Sequence, residues 1–183
     1  MRTADFFRAL LATAAAAALV TGCTSSNDGA ATGTTAPTTT DPVEIFNPCT
    51  GLSDQVLSDA GLDPSTKSVT TDAPTGETSW RICNWRTPDS TLMVGVYSTS
   101  HTLGEARNNQ ELVEKTETTI GSRPALTFFD DSETDGTSCY AAIEAEQGMF
   151  EINVSWFLDA DRNRDICALA VEYAALLEPH LPR

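Results

Sequence analysis

The run Val20-Thr21-Gly22-Cys23 decides which part of this 183-residue chain is available to fold. It ends an apolar segment and precedes a long polar one, and a small-residue cleavage site followed by cysteine is the pattern of a bacterial lipobox. Cleavage in a lipobox falls between Gly22 and Cys23, and the cysteine thiol carries a diacylglycerol. The pattern therefore predicts that Cys23 is the N-terminus of the mature protein.

The segment before the lipobox has the composition of an export signal. Arg2 and Arg8 provide a positively charged start, and residues 9–20 form a twelve-residue apolar region in which Thr13 is the one polar residue. A membrane-spanning helix needs roughly 20 apolar residues, so this stretch is too short to remain as an anchor. We expect residues 1–22 to be removed as a signal peptide. The alternative is an ordinary secretory peptide with a chance cysteine.

The charge of the chain excludes one class of partner. Lys and Arg number 11 against 26 Asp and Glu, a net charge of -15. Nucleic-acid binding depends mainly on Lys and Arg, so nucleic acid is not expected as a partner. Electrostatic adhesion to an anionic membrane is disfavoured for the same reason, and the acyl chains on Cys23 must supply the attachment. The expected location is the outer, extracytoplasmic face of the plasma membrane.

Cys23 is followed by a segment that cannot form a core. Residues 24–42 contain no aromatic and no large aliphatic residue, only small and polar ones and proline. We therefore interpret residues 23–42 as a lipidated cysteine with a disordered tether, which spans roughly 25 Å on average by random-coil scaling. The remaining 141 residues, 43–183, are predicted to form a single domain with a good core.

The pattern within residues 43–183 predicts an α+β domain: an antiparallel sheet with a short N-terminal helix, a middle helix and a C-terminal helix. Ser53 is a natural N-cap for the first helix, which stops at Gly61. Helical spacing predicts the middle helix over 103–116 and the last helix over 161–178. The apolar stripe of the last helix consists of Ile166, Ala170, Tyr173, Ala174 and Leu177.

Alternating polarity predicts the strands. The clearest is the second arm of a hairpin, residues 149–156, which places Phe150, Ile152, Val154 and Trp156 on one face. Its turn is assigned to Gln147-Gly148. The expected strands, in chain order, are 68–71, 80–85, 92–96, 125–129, 139–145 and 149–156.

Four cysteines follow Cys23, and an even number in an oxidising compartment favours two structural disulfides. Three pairings are possible. Pairing each helix with a neighbouring strand favours Cys49 with Cys83 and Cys139 with Cys167. The cysteines lack the paired spacing of a zinc site, so no metal is expected on them.

Taken together, these features resemble a known family. They are the lipobox, the Thr-rich tether, Pro48-Cys49 before a short helix, the strand Cys83-Asn84-Trp85, Cys139 on a late strand, and Cys167 near the start of a C-terminal helix ending in Leu-Pro. Over residues 47–182 the chain is similar to the actinobacterial lipoprotein family built on domain of unknown function 3558. The resemblance implies an exported, disulfide-bonded α+β lipoprotein of the mycobacterial type of cell envelope. It supplies no catalytic residue.

No catalytic residue is assigned from the residues either. The chain lacks a Gly-x-Ser-x-Gly elbow and a Ser-x-x-Lys motif, so a standard serine mechanism has no anchor. His101 and His180 are the two histidines and the candidates for a general base, and both are expected on the surface.

One acidic loop imitates part of a calcium site. Asp131, Glu133, Asp135 and Gly136 have the ligand alternation and the turn of a calcium loop, but its twelfth position is Ala142, where a bidentate Glu is needed. We therefore expect this stretch to be an ordinary exposed loop. A second acidic segment, which consists of Asp159, Asp161 and Asn163, is expected to cap a helix. No metal or cofactor is predicted.

Three classes of function remain. The first is a noncatalytic interaction or sensor module that presents a sheet face or loop to an envelope protein. The second is a carrier of an apolar, lipid-like ligand, with a cavity lined by Trp80, Phe128, Phe129 and Trp156. An envelope enzyme is third. A continuous apolar cavity of several hundred Å³ between sheet and helix favours the carrier, whereas a filled core favours the interaction module.

Overall fold

A computed structural model describes residues 44–73, 80–133, 136–157 and 162–183 of this protein, all within one compact unit, Thr40–Arg183. They form four α-helices, one short 3-10 helix (Glu178–His180) and seven strands. The helices are α1 (Pro48–Gly51), α2 (Asp54–Asp59), α3 (Leu103–Asn108) and α4 (Ile166–Leu177). The strands are β1 (Asp63–Ala73), β2 (Trp80–Arg86), β3 (Leu92–Thr99), β4 (Leu112–Ile120), β5 (Arg123–Asp130), β6 (Ser138–Ala145) and β7 (Gly148–Trp156).

The seven strands form one antiparallel sheet in the order β1-β2-β3-β7-β6-β5-β4. Each half of the sheet is built largely by neighbours in the chain. The halves meet where β7 pairs with β3, with Val154 opposite Val94 and Glu151 opposite Tyr97. The last strand of the chain is therefore the central one of the sheet, and its residues 148–154 are buried.

One face of the sheet packs against α4 and carries the larger core. Ile152 and Val154 of β7 are fully buried there, as are Cys83 and Trp85 of β2. All five residues of the predicted apolar stripe of α4 are buried. Each large aliphatic side chain buried in this way contributes roughly 1.5 to 3 kcal/mol, which explains why a 12-residue helix stays docked.

The opposite face of the sheet is only partly covered. Leu103 and Ala106 of α3 form a second, smaller core with sheet residues Leu126, Phe128, Ala142 and Met149. Because α3 has only six residues, it covers one end of this face. The rest of the face lies open beside it.

Two disulfides connect helices to strands. Cys49 in α1 is bonded to Cys83 in β2, and Cys139 in β6 to Cys167 in α4, with Cα–Cα distances of 5.3 and 5.1 Å. These are the two disulfide pairings that were favoured from the sequence.

The middle helix is much shorter than the sequence predicted. The helix expected over 103–116 ends at Asn108, and the strand β4 begins at Leu112. A capping box between Thr102 and Glu105 starts the helix. Lys115 donates hydrogen bonds to the carbonyls of Arg107 and Asn109 at the end of the helix. The β-branched residues that follow are then free to pair with β5.

Two other boundaries also differ from the sequence prediction. The hairpin turn is Glu146-Gln147 rather than Gln147-Gly148, because Gly148 is the first residue of β7. Its φ is 143°, and a Cβ there would lie 2.5 Å from the Thr99 carbonyl oxygen, so this position requires glycine. The last helix begins at Ile166 rather than Asp161, which lies outside the described residues.

Side chains cap the N-termini of α4 and α2. The side chain of Asp165 caps α4 by accepting a hydrogen bond from the amide of Ala168. Ser53 caps α2 as predicted, by accepting a hydrogen bond from the amide of Val56. The weak edge strand expected at 68–71 extends over the whole of β1.

Candidate functional site

A cleft of about 540 Å³ occupies the part of the sheet that α3 leaves open. Its lining comes from all seven strands, together with α3 and the residues on either side of that helix. The lining includes four aromatic side chains and three carboxylates: Trp80, Tyr97, Phe128, Tyr140, Glu105, Asp130 and Glu151. We refer to this site as the cleft.

Strand register places the aromatic side chains on the face that bears the cleft. Tyr97 lies opposite Ile82 on β2 and Glu151 on β7, and cross-strand partners share a face. Gly95 precedes Tyr97 on the same face, and a Cβ at Gly95 would lie 2.7 Å from the Tyr97 ring. The absence of a side chain at Gly95 thus leaves space for that ring.

The rings of the cleft contact one another in a continuous row. Trp80 meets Tyr97 edge to face with centroids 6.2 Å apart, and Tyr97 meets Tyr140 in the same way at 5.9 Å. Tyr140 stacks on Phe128 at 5.3 Å and donates a hydrogen bond to Glu133. Aromatic pairs in these geometries are favourable by about 0.5 to 1.5 kcal/mol each. The walls are therefore held in place before any ligand arrives.

Glu151 is the most unusual residue of the cleft. It is only 6 % exposed, and its carboxylate has no hydrogen bond or ion pair with any residue of the described ranges. Burial, with a smaller effect from nearby Asp130, raises the pKa of Glu151 to about 8. At neutral pH this side chain is mostly an uncharged acid.

The shifted pKa of Glu151 predicts a pH dependence of stability. Between its ordinary pKa near 4.5 and its folded pKa of about 8, the folded protein holds a proton that the unfolded chain has released. The free energy of unfolding should therefore fall as pH rises through this window, by at most about 1.4 kcal/mol per pH unit from this group. Glu151→Gln should flatten that slope in denaturant titrations between pH 5 and 8.

The matched control for this titration is Glu146→Gln, which changes an exposed carboxylate in the hairpin turn. It should keep the wild-type slope. Equal slopes for wild type and Glu151→Gln would show that Glu151 is ionised in the folded protein.

The four residues that the sequence suggested as cavity lining lie on opposite sides of the sheet. Trp80 and Phe128 line the cleft, whereas Phe129 and Trp156 pack against the α4 side of the sheet. His101, expected on the surface, is half-buried beside Trp80 in the cleft. His180 is exposed.

Sequence reasoning missed Tyr97, Tyr140 and Glu151 as site residues. The alternation of β7 did place Glu151 on the face opposite Phe150 and Ile152. A carboxylate at such a position is normally exposed to solvent. Glu151 is buried by side chains from elements that are distant in sequence, which alternation along one strand does not reveal.

Several predicted sites fall wholly or partly outside the described residues. Gly22 and Cys23 are among them, as are Asp135, Asp159 and Asp161. Within the described ranges, no group of three or more His, Cys, Asp and Glu side chains is arranged to hold a metal ion. No helix in those ranges has both the length and the apolar character needed to cross a membrane.

The fold and the cleft together define a class: a small, disulfide-bonded α+β domain with a ligand-sized cleft on one face of its sheet. The chain belongs to the family described as protein of unknown function (DUF3558), whose model matches residues 18–180. This confirms the resemblance to domain of unknown function 3558. No curated protein and no solved structure matches the chain.

Proposed function

We propose that this protein is an exported, lipid-anchored, noncatalytic module of the cell envelope that binds a small ligand in the cleft. The observation that carries the proposal is the cleft itself. Its volume of about 540 Å³ lies within the range of roughly 300 to 1,000 Å³ that is usual for small-molecule sites. Aromatic walls with few polar groups are also typical of such sites.

The proposal unites two of the functions considered from the sequence. The ligand is what a carrier would carry or a sensor would detect. It has a largely apolar body, because apolar and aromatic side chains make up more than half of the lining. The lipobox and tether support a position at the outer face of the plasma membrane.

The surface gives less support to a module that acts by protein contact alone. Among the described residues, the large apolar side chains that are exposed are Val69, Val113 and Leu176. They lie on three different elements, β1, β4 and α4, whereas protein-binding sites are usually contiguous apolar patches. The cleft is thus the better-supported binding site.

Blocking the cleft should abolish ligand capture. Asn109 is an exposed residue that lines the cleft just after α3, so Asn109→Trp places a large ring at the site without altering the core. The whole protein is incubated with a small-molecule extract of the envelope of its producing cells and examined by native mass spectrometry. Wild type should retain a bound mass that Asn109→Trp loses.

The matched control is Asn108→Trp, which changes the neighbouring exposed asparagine that does not line the cleft. It should retain the same mass as wild type. The proposal is wrong if wild type retains no small molecule, or if Asn109→Trp retains it as well as Asn108→Trp does.

A further inference from the structure

We propose that the cleft is a site for an organic ammonium ion, with Glu151 as its counter-ion and the rings of Trp80, Tyr97 and Tyr140 around its alkyl groups. This inference rests on the proposed function, because it assigns the chemistry of the ligand that the cleft binds. Three independent observations support it: the charge of the lining, the free carboxylate of Glu151, and the geometry of the rings.

The lining of the cleft has one sign of charge. It contains three carboxylates, from Glu105, Asp130 and Glu151, and among the described residues that line it none is Lys or Arg. A site of this kind disfavours phosphate, carboxylate and other anions by like-charge repulsion. The charges of the lining therefore favour a ligand that is a cation or carries a cationic group.

Of the three carboxylates, Glu151 is the one with no hydrogen bond from a described residue to either oxygen. One oxygen of Glu105 accepts hydrogen bonds from the amide and hydroxyl of Thr102 at 2.6 and 3.0 Å. One oxygen of Asp130 accepts from the amide and hydroxyl of Ser132 at 2.9 and 2.5 Å. Glu151 has no such partner, although a buried carboxylate is normally paired or hydrogen-bonded. A cationic ligand would supply the missing partner.

The rings favour an organic cation over a metal ion. Calcium takes six to eight oxygen ligands, and one free carboxylate beside aromatic faces does not provide them. Tyr97 lies directly opposite Glu151 and contacts both Trp80 and Tyr140 edge to face. Aromatic rings attract ammonium groups through their negative faces, and this attraction strengthens when water is excluded. Rings beside a buried carboxylate thus match an alkylammonium group.

Binding of such an ion must be linked to proton release. The free protein holds Glu151 mostly protonated, since burial raises its pKa, and the ionised form is the one that attracts a cation. The titratable groups that face or surround it are Tyr97 on β3, Asp130 on β5, Glu133 after β5, Tyr140 on β6, His101 before α3 and Glu105 on α3. For a ligand with a permanent charge, affinity should rise about tenfold per pH unit while Glu151 is mostly protonated.

Choline and 3,3-dimethylbutan-1-ol test the inference, because they have nearly the same shape and differ in the positive charge. Each is titrated into the whole protein by calorimetry. Choline should bind at least tenfold more tightly than the alcohol at pH 7.5. Its affinity should fall about tenfold at pH 6.5, and the heat should depend on the ionisation enthalpy of the buffer because a proton is released.

Two variants complete the test. Glu151→Gln should weaken choline binding at least tenfold and abolish its pH dependence, whereas the turn variant Glu146→Gln should bind as wild type does. The inference is wrong if choline does not bind, if the alcohol binds equally well, or if Glu151→Gln keeps wild-type affinity. In any of these cases, the Asn109→Trp experiment still tests the proposed function separately. If wild type retains a small molecule from the envelope extract and Asn109→Trp loses it, the proposed function stands and only the ammonium chemistry is wrong.

Discussion

Replacing Cys23 with serine is expected to move the protein from the membrane fraction to the soluble fraction. The predicted anchor is chemical: the thiol carries the lipid, and a hydroxyl does not replace it in a lipobox. One acyl chain binds membranes only marginally, but two or three hold a protein stably. With the lipid absent, the acidic chain has no electrostatic attraction to an anionic bilayer that could replace it.

The change should be nearly complete and should leave the fold intact, because Cys23 precedes the described domain by 20 residues of sequence. Fractionation after a high-salt wash measures it, and equal thermal melting of the released domain checks the fold. Ser25→Ala, which leaves the lipobox unchanged, should stay with the membrane. Retention of Cys23→Ser in the washed membrane would show that something other than a lipid on this residue holds the protein.

Replacing Cys167 with serine is expected to cost about 3 to 4 kcal/mol of stability. The Cys139–Cys167 bond closes a loop of 28 residues, and the chain-entropy model assigns that value to a loop of this length. Domains of this size are stable by only about 5 to 15 kcal/mol, so the loss is a large fraction. The buried stripe of α4 should keep the helix docked in the folded state, so the effect acts mainly through the unfolded chain.

Denaturant unfolding of Cys167→Ser against wild type measures the loss. The double variant Cys139→Ala/Cys167→Ala removes the free thiol and should lose a similar amount, which separates loss of the bond from thiol chemistry. Peptide mapping without reduction should still show Cys49 linked to Cys83. Unchanged stability in both variants would contradict the assigned bond.

Features set by near neighbours were predictable from sequence. The apolar stripe of α4, the strand bearing Cys83 and Trp85, the Ser53 cap and the two arms of the final hairpin all depend on residues within a few positions of one another. The predicted middle helix was too long: its spacing fits a helix beyond Asn108, but residues from Leu112 onward pair with β5 as strand β4. Tertiary structure overrides local propensity at such places.

The sequence by itself determined the class of fold, the disulfide-forming cysteines and the faces of the strands, since these follow from spacing and periodicity. The family followed from the resemblance of its motifs to those of known members. Only the tertiary structure decided that a cleft exists and what lines it. Tyr97, Tyr140 and Glu151 come from three strands that meet because β7 pairs with both β3 and β6. That strand order is a nonlocal choice, and the burial that raises the pKa of Glu151 depends on every element packed around it.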